Sequence, residues 1–272
     1  MKLLISADME GITGVVDWKH VDHRDPEYGR FRKLMTADVN AAIRGALKGG
    51  ADQIVVTDAH GPKTNILIEE LEPPARLNSG PTHPMGMVQG IDDGVDAVFF
   101  IGYHARNGAE AGILSHTISG KAVANVWIND VLVGEMGINA HVAGSFGAPV
   151  LLVSSDSAGV AEAKAIIPGV ATVKTKNSNT RFSAEAFPAS VTHLLIEAAA
   201  EKAVKSFLAG KAPKLVKAET PVRIRLEYTN EQMADSGELL PTVTRVDGRT
   251  VEFTAHDMAS GYRALRAAIK LA

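Results

Sequence analysis

Three short apolar runs in this chain each stop on residues able to bind an ion. Leu3-Leu4-Ile5 leads into Asp8, Glu10 and Gly11; Gln53-Ile54-Val55-Val56-Thr57 ends at Asp58, with His60 two residues on; Ala97-Val98-Phe99-Phe100-Ile101 runs into Gly102, Tyr103 and His104. Apolar stretches of this length, without alternation, are strands buried on both faces. Between the first two runs a helical period, Phe31, Met35, Val39, Ala42, Ile43, Ala46 and Leu47, is stopped by Gly49-Gly50. Strand, helix, strand predicts a βαβ unit with parallel strands and a right-handed crossover. The expected fold is α/β: a mostly parallel sheet with flanking helices, a Rossmann-like core, and a smaller C-terminal α/β portion.

Asp17–Glu27 is too rich in His, Asp and Pro for a core element and reads as a loop, and a short helix is expected around Asn65–Leu71. Val123–Ile128, Asn129-Asp130 and Val131–Val133 read as a hairpin, because Asn and Asp tolerate the positive φ of a two-residue turn. A helix with Ile138, Val142 and Ser145, the strand Val150–Val153 and a short helix to Ile167 follow. A helix over Pro188–Leu208 is expected to face inward with Val191, Leu194, Leu195 and Ala198, ahead of a solvated linker, Lys211–Lys217. Strands Val222–Tyr228 and Thr242–Phe253 flank a helix near Glu231, and a closing helix repeats at Met258, Tyr262, Leu265 and Ile269. This change of character predicts a metal-binding catalytic domain at residues 1–176 and a smaller α/β domain at 177–272.

In sheets of this kind ligands collect beyond the carboxyl ends of the strands. Asp8 and Glu10, spaced i, i+2, share a face there, roughly 6.5 Å apart at the backbone. With His60, His104 and, after the hairpin, Glu135, the strand ends supply two imidazoles and three carboxylates. That set is too large for one tetrahedral ion and suits two ions sharing a carboxylate, since co-catalytic metals lie roughly 3.5–4 Å apart. Asp8 is the candidate bridge, and hydrolysis of an amide or ester is the reaction such a pair would serve.

His116 reads either as a proton shuttle or stabiliser of the tetrahedral intermediate, or as a polar loop residue. Asp58 could bind an ion or orient a neighbouring ligand. Arg106 could anchor a substrate carboxylate or sit in a structural ion pair. His141 falls on a helix and reads as packed; His20, His23, His83, His193 and His256 have no ligand pattern around them. Three other readings stay open: a metal-dependent amidohydrolase of a non-peptide substrate, a phosphoryl- or sugar-binding domain, and a small-molecule binding module with a structural cation.

Composition narrows the choice. A net charge of -3 with interspersed signs leaves no basic face for nucleic acid or anionic lipid. The chain has no Cys, which removes disulfides, thiolate nucleophiles and every Cys-based zinc site. Asp8 and Glu10 interrupt the first apolar run before a signal-peptide core can form, and no stretch approaches the roughly 20 apolar residues of a membrane span, so a cytoplasmic location is expected.

Taken together, Ser6-Ala7-Asp8-Met9-Glu10-Gly11, Asp58-Ala59-His60, Gly102-Tyr103-His104-Ala105-Arg106, Ser115-His116 and Ile128-Asn129-Asp130 through Gly134-Glu135 resemble the self-compartmentalising zinc D-aminopeptidases linked to bacterial dipeptide transport. Leu34-Met35-Thr36, Met87-Val88-Gln89-Gly90 and Ala143-Gly144 extend the resemblance over Met1 to Val153, and more weakly beyond. It implies two zinc ions per subunit, with Asp8 bridging, Glu10 and His60 completing one site, and His104 and Glu135 the other. His116 takes the place of the family's catalytic histidine. It also implies a homo-oligomer, a decameric ring, acting on small peptides with an N-terminal D-residue, typically D-Ala. The chain departs from the family pattern in a loop one residue longer between His104 and His116, and at His141, where an aromatic is usual.

Overall fold

The structure, a computed structural model, describes residues 1–81 and 83–272. Twelve strands occur in chain order: β1 (Lys2–Ala7), β2 (Gln53–Asp58), β3 (Arg76–Asn78), β4 (Ala97–Ile101), β5 (Val123–Ile128), β6 (Val131–Val133), β7 (Val150–Asp156), β8 (Ala171–Thr180), β9 (Ser183–Ala186), β10 (Val222–Tyr228), β11 (Thr244–Arg245) and β12 (Thr250–Ala255). The helices are α1 (Tyr28–Gly49), α2 (Glu135–Ser145), α3 (Ser157–Ile166), α4 (Ala189–Leu208), α5 (Glu231–Gly237) and α6 (Met258–Leu271).

One sheet has the order β3-β2-β1-β4-β7-β8-β9, parallel except for the β8–β9 pair. The chain leaves β1 toward β2 on one side and returns to β4 on the other. The strand order therefore reverses between β1 and β4, the place where open α/β sheets bind ligands. A second, antiparallel sheet has the order β11-β12-β10-β5-β6.

Period-2 alternation divides the buried side chains between two cores. Leu3, Ile5, Val56 and Phe99 face one with α1 and α4, while Leu4, Val98 and Phe100 face the other with α2, α6 and the second sheet. Each such side chain, fully withdrawn from water, contributes about 1.5–3 kcal/mol.

The βαβ unit, the hairpin turning at Asn129-Asp130 (φ 46° and 68°) and the closing helix are as expected. Other features differ. α4 buries Thr192, Ile196, Ala200, Ala203 and Val204, leaving Leu194 70% exposed and Val191 and Leu195 44% and 46%. The reason is close helix contact: a Cβ on Gly45 of α1 would lie 2.1 Å from the Glu197 carbonyl oxygen, and one on Gly49 2.6 Å from Val204 Cβ. The α4 face that approaches these glycines carries Ala200 and Val204, with Thr192 and Ile196 beside them, so its leucines turn outward.

β8 and β9 lie in a stretch whose polar composition hides them, and β3 lies among the expected loops. Thr242–Phe253 is two strands, broken where Asp247 accepts from the Arg249 and Thr250 amides. The helix expected around Asn65–Leu71 is one 3-10 turn, Ile68–Glu70. The boundary expected at 176/177 falls inside β8, and the second sheet joins residues 123–133 to the C-terminal strands. Among the described residues, no helix is long and apolar enough to cross a membrane.

Candidate metal centre

The loops after β1 and β4 are joined backbone to backbone. Asp8 N–H donates to the Ile101 carbonyl (2.8 Å), and Gly11 N–H to that of Gly102 (2.8 Å). A Cβ on Gly11 would lie 1.9 Å from the Tyr103 carbonyl oxygen, and Gly102 has φ +71° with Asp8 O 2.3 Å from its ideal Cβ. Glycine at both positions lets the two strand ends close on each other, which brings Asp8 and His104 together. From below, the buried Lys176 Nζ donates to the carbonyls of Glu10 (2.8 Å) and Ile12 (2.7 Å). Burial lowers its pKa to about 8.

The expected ligands converge. His60 Nδ1 lies 3.1 Å from Glu10 Oε2 and 3.3 Å from Asp8 Oδ1. His104 Nε2 lies 3.6 Å from Asp8 Oδ2 and 3.4 Å from Glu135 Oε1. Two triplets, Asp8-Glu10-His60 and Asp8-His104-Glu135, each bring ligand atoms within 4.8 Å of one another, and both contain Asp8. His116 stacks on His104 with ring centroids 4.3 Å apart, its Nε2 3.6 Å from Glu135 Oε1. Glu10, His104 and His116 form a third such triplet, so His116 is also within reach of an ion.

The hydrogen bonds settle which imidazole nitrogen is free. His60 Nε2 bonds the Val21 carbonyl (3.0 Å), His104 Nδ1 that of Ala105 (2.9 Å) and His116 Nδ1 that of Leu114 (2.9 Å). A carbonyl only accepts, so each of these nitrogens carries a proton, and the other faces the carboxylates, where it would turn a lone pair on a bound ion. Metal-binding histidines are held in this way. Among the described residues, buried Asp8 Oδ2 and His104 Nε2 have no hydrogen-bond partner. Such orphans next to one another fit a cation between them.

Without a cation the charges balance internally. Burial and the neighbouring Glu10 raise Asp8 to about 7. Burial would also raise Glu10 and Glu135, but His60 holds Glu10 well below the usual carboxylate range and His104 brings Glu135 down to about 2. Against burial, Glu10 raises His60 and Glu135 raises His104 well above the ordinary imidazole value. His116 is lowered by burial and then by His104.

A cavity of about 960 Å³ opens over Asp8, Glu10, His60, His116 and Glu135, with Trp18, Lys63, Arg181, Tyr262 and Arg266 in its walls. Asp58 and Arg106 are not brought into the cluster. Asp58 accepts from the Asn65 and Ile66 amides and from Asn65 Nδ2 (2.6 Å), and Asn65 Nδ2 also reaches the His60 carbonyl, so Asp58 braces the loop that carries His60. Arg106 borders a separate depression with Glu110 and Glu162; its amide donates to Glu162 (2.7 Å) and its guanidinium to the Asn107 carbonyl (2.8 Å). His141 donates through Nδ1 to the Gly137 carbonyl (2.7 Å) inside α2, the packed role expected of it.

Sequence reasoning missed Lys176, Trp18 and Arg181. Lys176 lies in the unforeseen β8, Arg181 in the turn after it and Trp18 in the expected loop, and no spacing rule ties them to the strand ends.

The D-aminopeptidase family model matches residues 1–267. The D-aminopeptidase of Bacillus subtilis (strain 168) is 36% identical over 274 residues, covering 100% of this chain and 98% of that protein. A solved structure, Zn-dependent D-aminopeptidase DppA from Bacillus subtilis, a self-compartmentalizing protease, matches with a TM-score of 0.95 at 34% identity, covering 100% of this chain and 97% of that one. A chain matched over nearly its whole length by the family model, and this similar in sequence and shape to D-aminopeptidase of Bacillus subtilis, belongs to the D-aminopeptidases, hydrolases of peptide bonds.

Proposed function

We propose that this chain is a zinc aminopeptidase cleaving short peptides with an N-terminal D-residue, D-Ala di- and tripeptides among them. Asp8, Glu10, His60, His104 and Glu135 would hold two ions, with Asp8 shared. The observation that carries the reading is the set of fixed imidazole tautomers turned on buried carboxylates, with Asp8 common to two triplets. Family membership removes the non-enzymatic binding module as an alternative.

Zinc at these positions would lower the pKa of a water toward neutrality and polarise the scissile carbonyl. The remaining work falls to the chain. Burial lowers the His116 imidazole pKa, which favours the neutral form, and the Leu114 carbonyl holds the proton on Nδ1 so that Nε2 turns to the cluster. His116 can take the proton of the attacking water and pass it to the leaving amine. The cavity volume suits a peptide of a few residues.

Metal analysis and substrate comparison test this reading. The expected result is two zinc equivalents per chain, activity lost on chelation, and faster hydrolysis of D-Ala-D-Ala than of L-Ala-L-Ala. One equivalent or none, or equal rates on both dipeptides, would refute the corresponding part. The self-compartmentalizing description of the Bacillus subtilis structure supports a homo-oligomer, a decamer on the family resemblance. Light scattering on the purified protein would read the mass directly, and a monomer would remove that part.

A further inference from the structure

The loop that carries His116 is bent into conformations that side chains avoid. Ala111, Leu114 and Ile118 have φ of 54°, 49° and 60°, and for a β-branched residue such as Ile118 this is a genuine outlier. Backbone of this kind persists only where its surroundings over-determine it. Some restraints come from residues near the expected site. The Ile113 amide donates to Asp156 Oδ2 (2.6 Å), and the Ile118 amide to Glu135 Oε1 (2.6 Å).

The residues beside His116 itself are held from elsewhere, by the turn between β8 and β9. Leu114 N–H donates to the Arg181 carbonyl (3.0 Å), and Arg181 Nη2 donates to the Ser115 carbonyl (3.0 Å). The same guanidinium lies 5.7 Å over the Trp18 ring, and Trp18 meets the His116 ring edge-on at 5.7 Å. Arg181 therefore reaches His116 by two routes. One runs through the backbone on its N-terminal side and the other through an aromatic wall against its ring.

We propose that Arg181 is a positioning residue, whose guanidinium clamps the Ser115 carbonyl and Trp18 so that the His116 imidazole stays stacked on His104 and aimed at the carboxylate cluster. This rests on the reading of His116 as the proton-transfer group. The side chain sits on an exposed hairpin tip, outside both cores, so it can be removed without opening a cavity in either. The Leu114–Arg181 backbone bond survives any substitution there.

The test is a double-mutant cycle between R181A and H116A, with R181K as a conservative partner. In R181A, kcat is expected to fall on the order of tenfold, since small misplacements of a reacting group cost this much or more. KM, zinc content and melting temperature should stay near wild type, and R181K should recover part of the loss. Guanidinium ion at millimolar concentration should restore part of the R181A rate and none of the H116A rate. In the H116A background R181A should cost nothing further, because its effect runs through the missing imidazole.

Wild-type kcat in R181A would overturn the proposal. So would a raised KM at unchanged kcat, which would assign Arg181 to substrate binding, or two losses that simply multiply in the double variant. Normal turnover by H116A would bring down the reading of His116 and this inference with it. An indifferent R181A beside a dead H116A would remove the inference alone.

Discussion

The two triplets that share Asp8 are built in different ways. Asp8, Glu10 and His60 all come from one βαβ unit, on loops after adjacent parallel strands, and the His60 side chain keeps 12% exposure at the cavity. In the other triplet, His104 follows β4 and Glu135 opens α2, which the hairpin of the second sheet delivers; the His104 side chain is 1% exposed. The first half needs only local chain and the central sheet. The second forms only when the two sheets dock, so ion binding there is linked to the tertiary interface.

The largest effect is expected at the shared member. Asp8→Ala should empty both halves: zinc content falls to near zero and peptide hydrolysis drops by a factor of roughly 10³ or more, because the bridging group of a two-metal site has no substitute. If D8A keeps one full equivalent on metal analysis, the halves are independent and Asp8 is not shared.

Next come the two histidines. His60→Ala and His104→Ala should each lose one equivalent and nearly all turnover. H104A should also lower the melting temperature more, because it leaves a cavity and unpaired carboxylates between the layers, at a cost of about 2–5 kcal/mol. Equal melting temperatures in calorimetry would erase the proposed contrast.

His116→Ala should keep both ions and lose roughly 10²–10⁴-fold in kcat, the usual worth of a placed proton-transfer group. Loss of zinc from H116A would make it a ligand instead.

The smallest effect is in pH. Metal-free Asp8 has its pKa raised to about 7 by burial and Glu10, so below that value the folded apoprotein carries a proton that ions must displace. Zinc affinity should therefore fall as pH drops through 7, by up to about tenfold per unit for this one proton. Calorimetry in buffers of different ionisation enthalpy would count the protons released. Affinity independent of pH from 8 to 6 would contradict the raised value.

The contrast between the triplets also explains what could be read in advance. All five ligand candidates stand at strand ends or just after a hairpin, where an apolar run stopping on an acid or imidazole is visible in the chain itself. α1 was legible for a related reason: its apolar face is broad and meets a sheet. α4 was not. Val191, Leu194 and Leu195 point outward because the face carrying Thr192, Ile196, Ala200 and Val204 is the one that packs on Gly45 and Gly49 of α1, and nothing local to α4 records what its partner lacks. β8 is mostly polar and lies second from the edge of its sheet, and its buried Lys176 makes sense only beneath the carbonyls of Glu10 and Ile12.

Sequence by itself determined the α/β character, the positions of the five ligand candidates at strand ends or just after a hairpin, and the exclusion of thiol chemistry. These follow from local periodicity and from side-chain chemistry, which travel with the chain. Tertiary structure alone decided that the carboxylates and imidazoles meet round Asp8, that Asp58 braces the His60 loop while Arg106 lies outside the cluster, and that Arg181 and Trp18 stand against His116. Those outcomes depend on how two sheets and a helix pair approach one another, and contacts between distant segments leave no period in either of them.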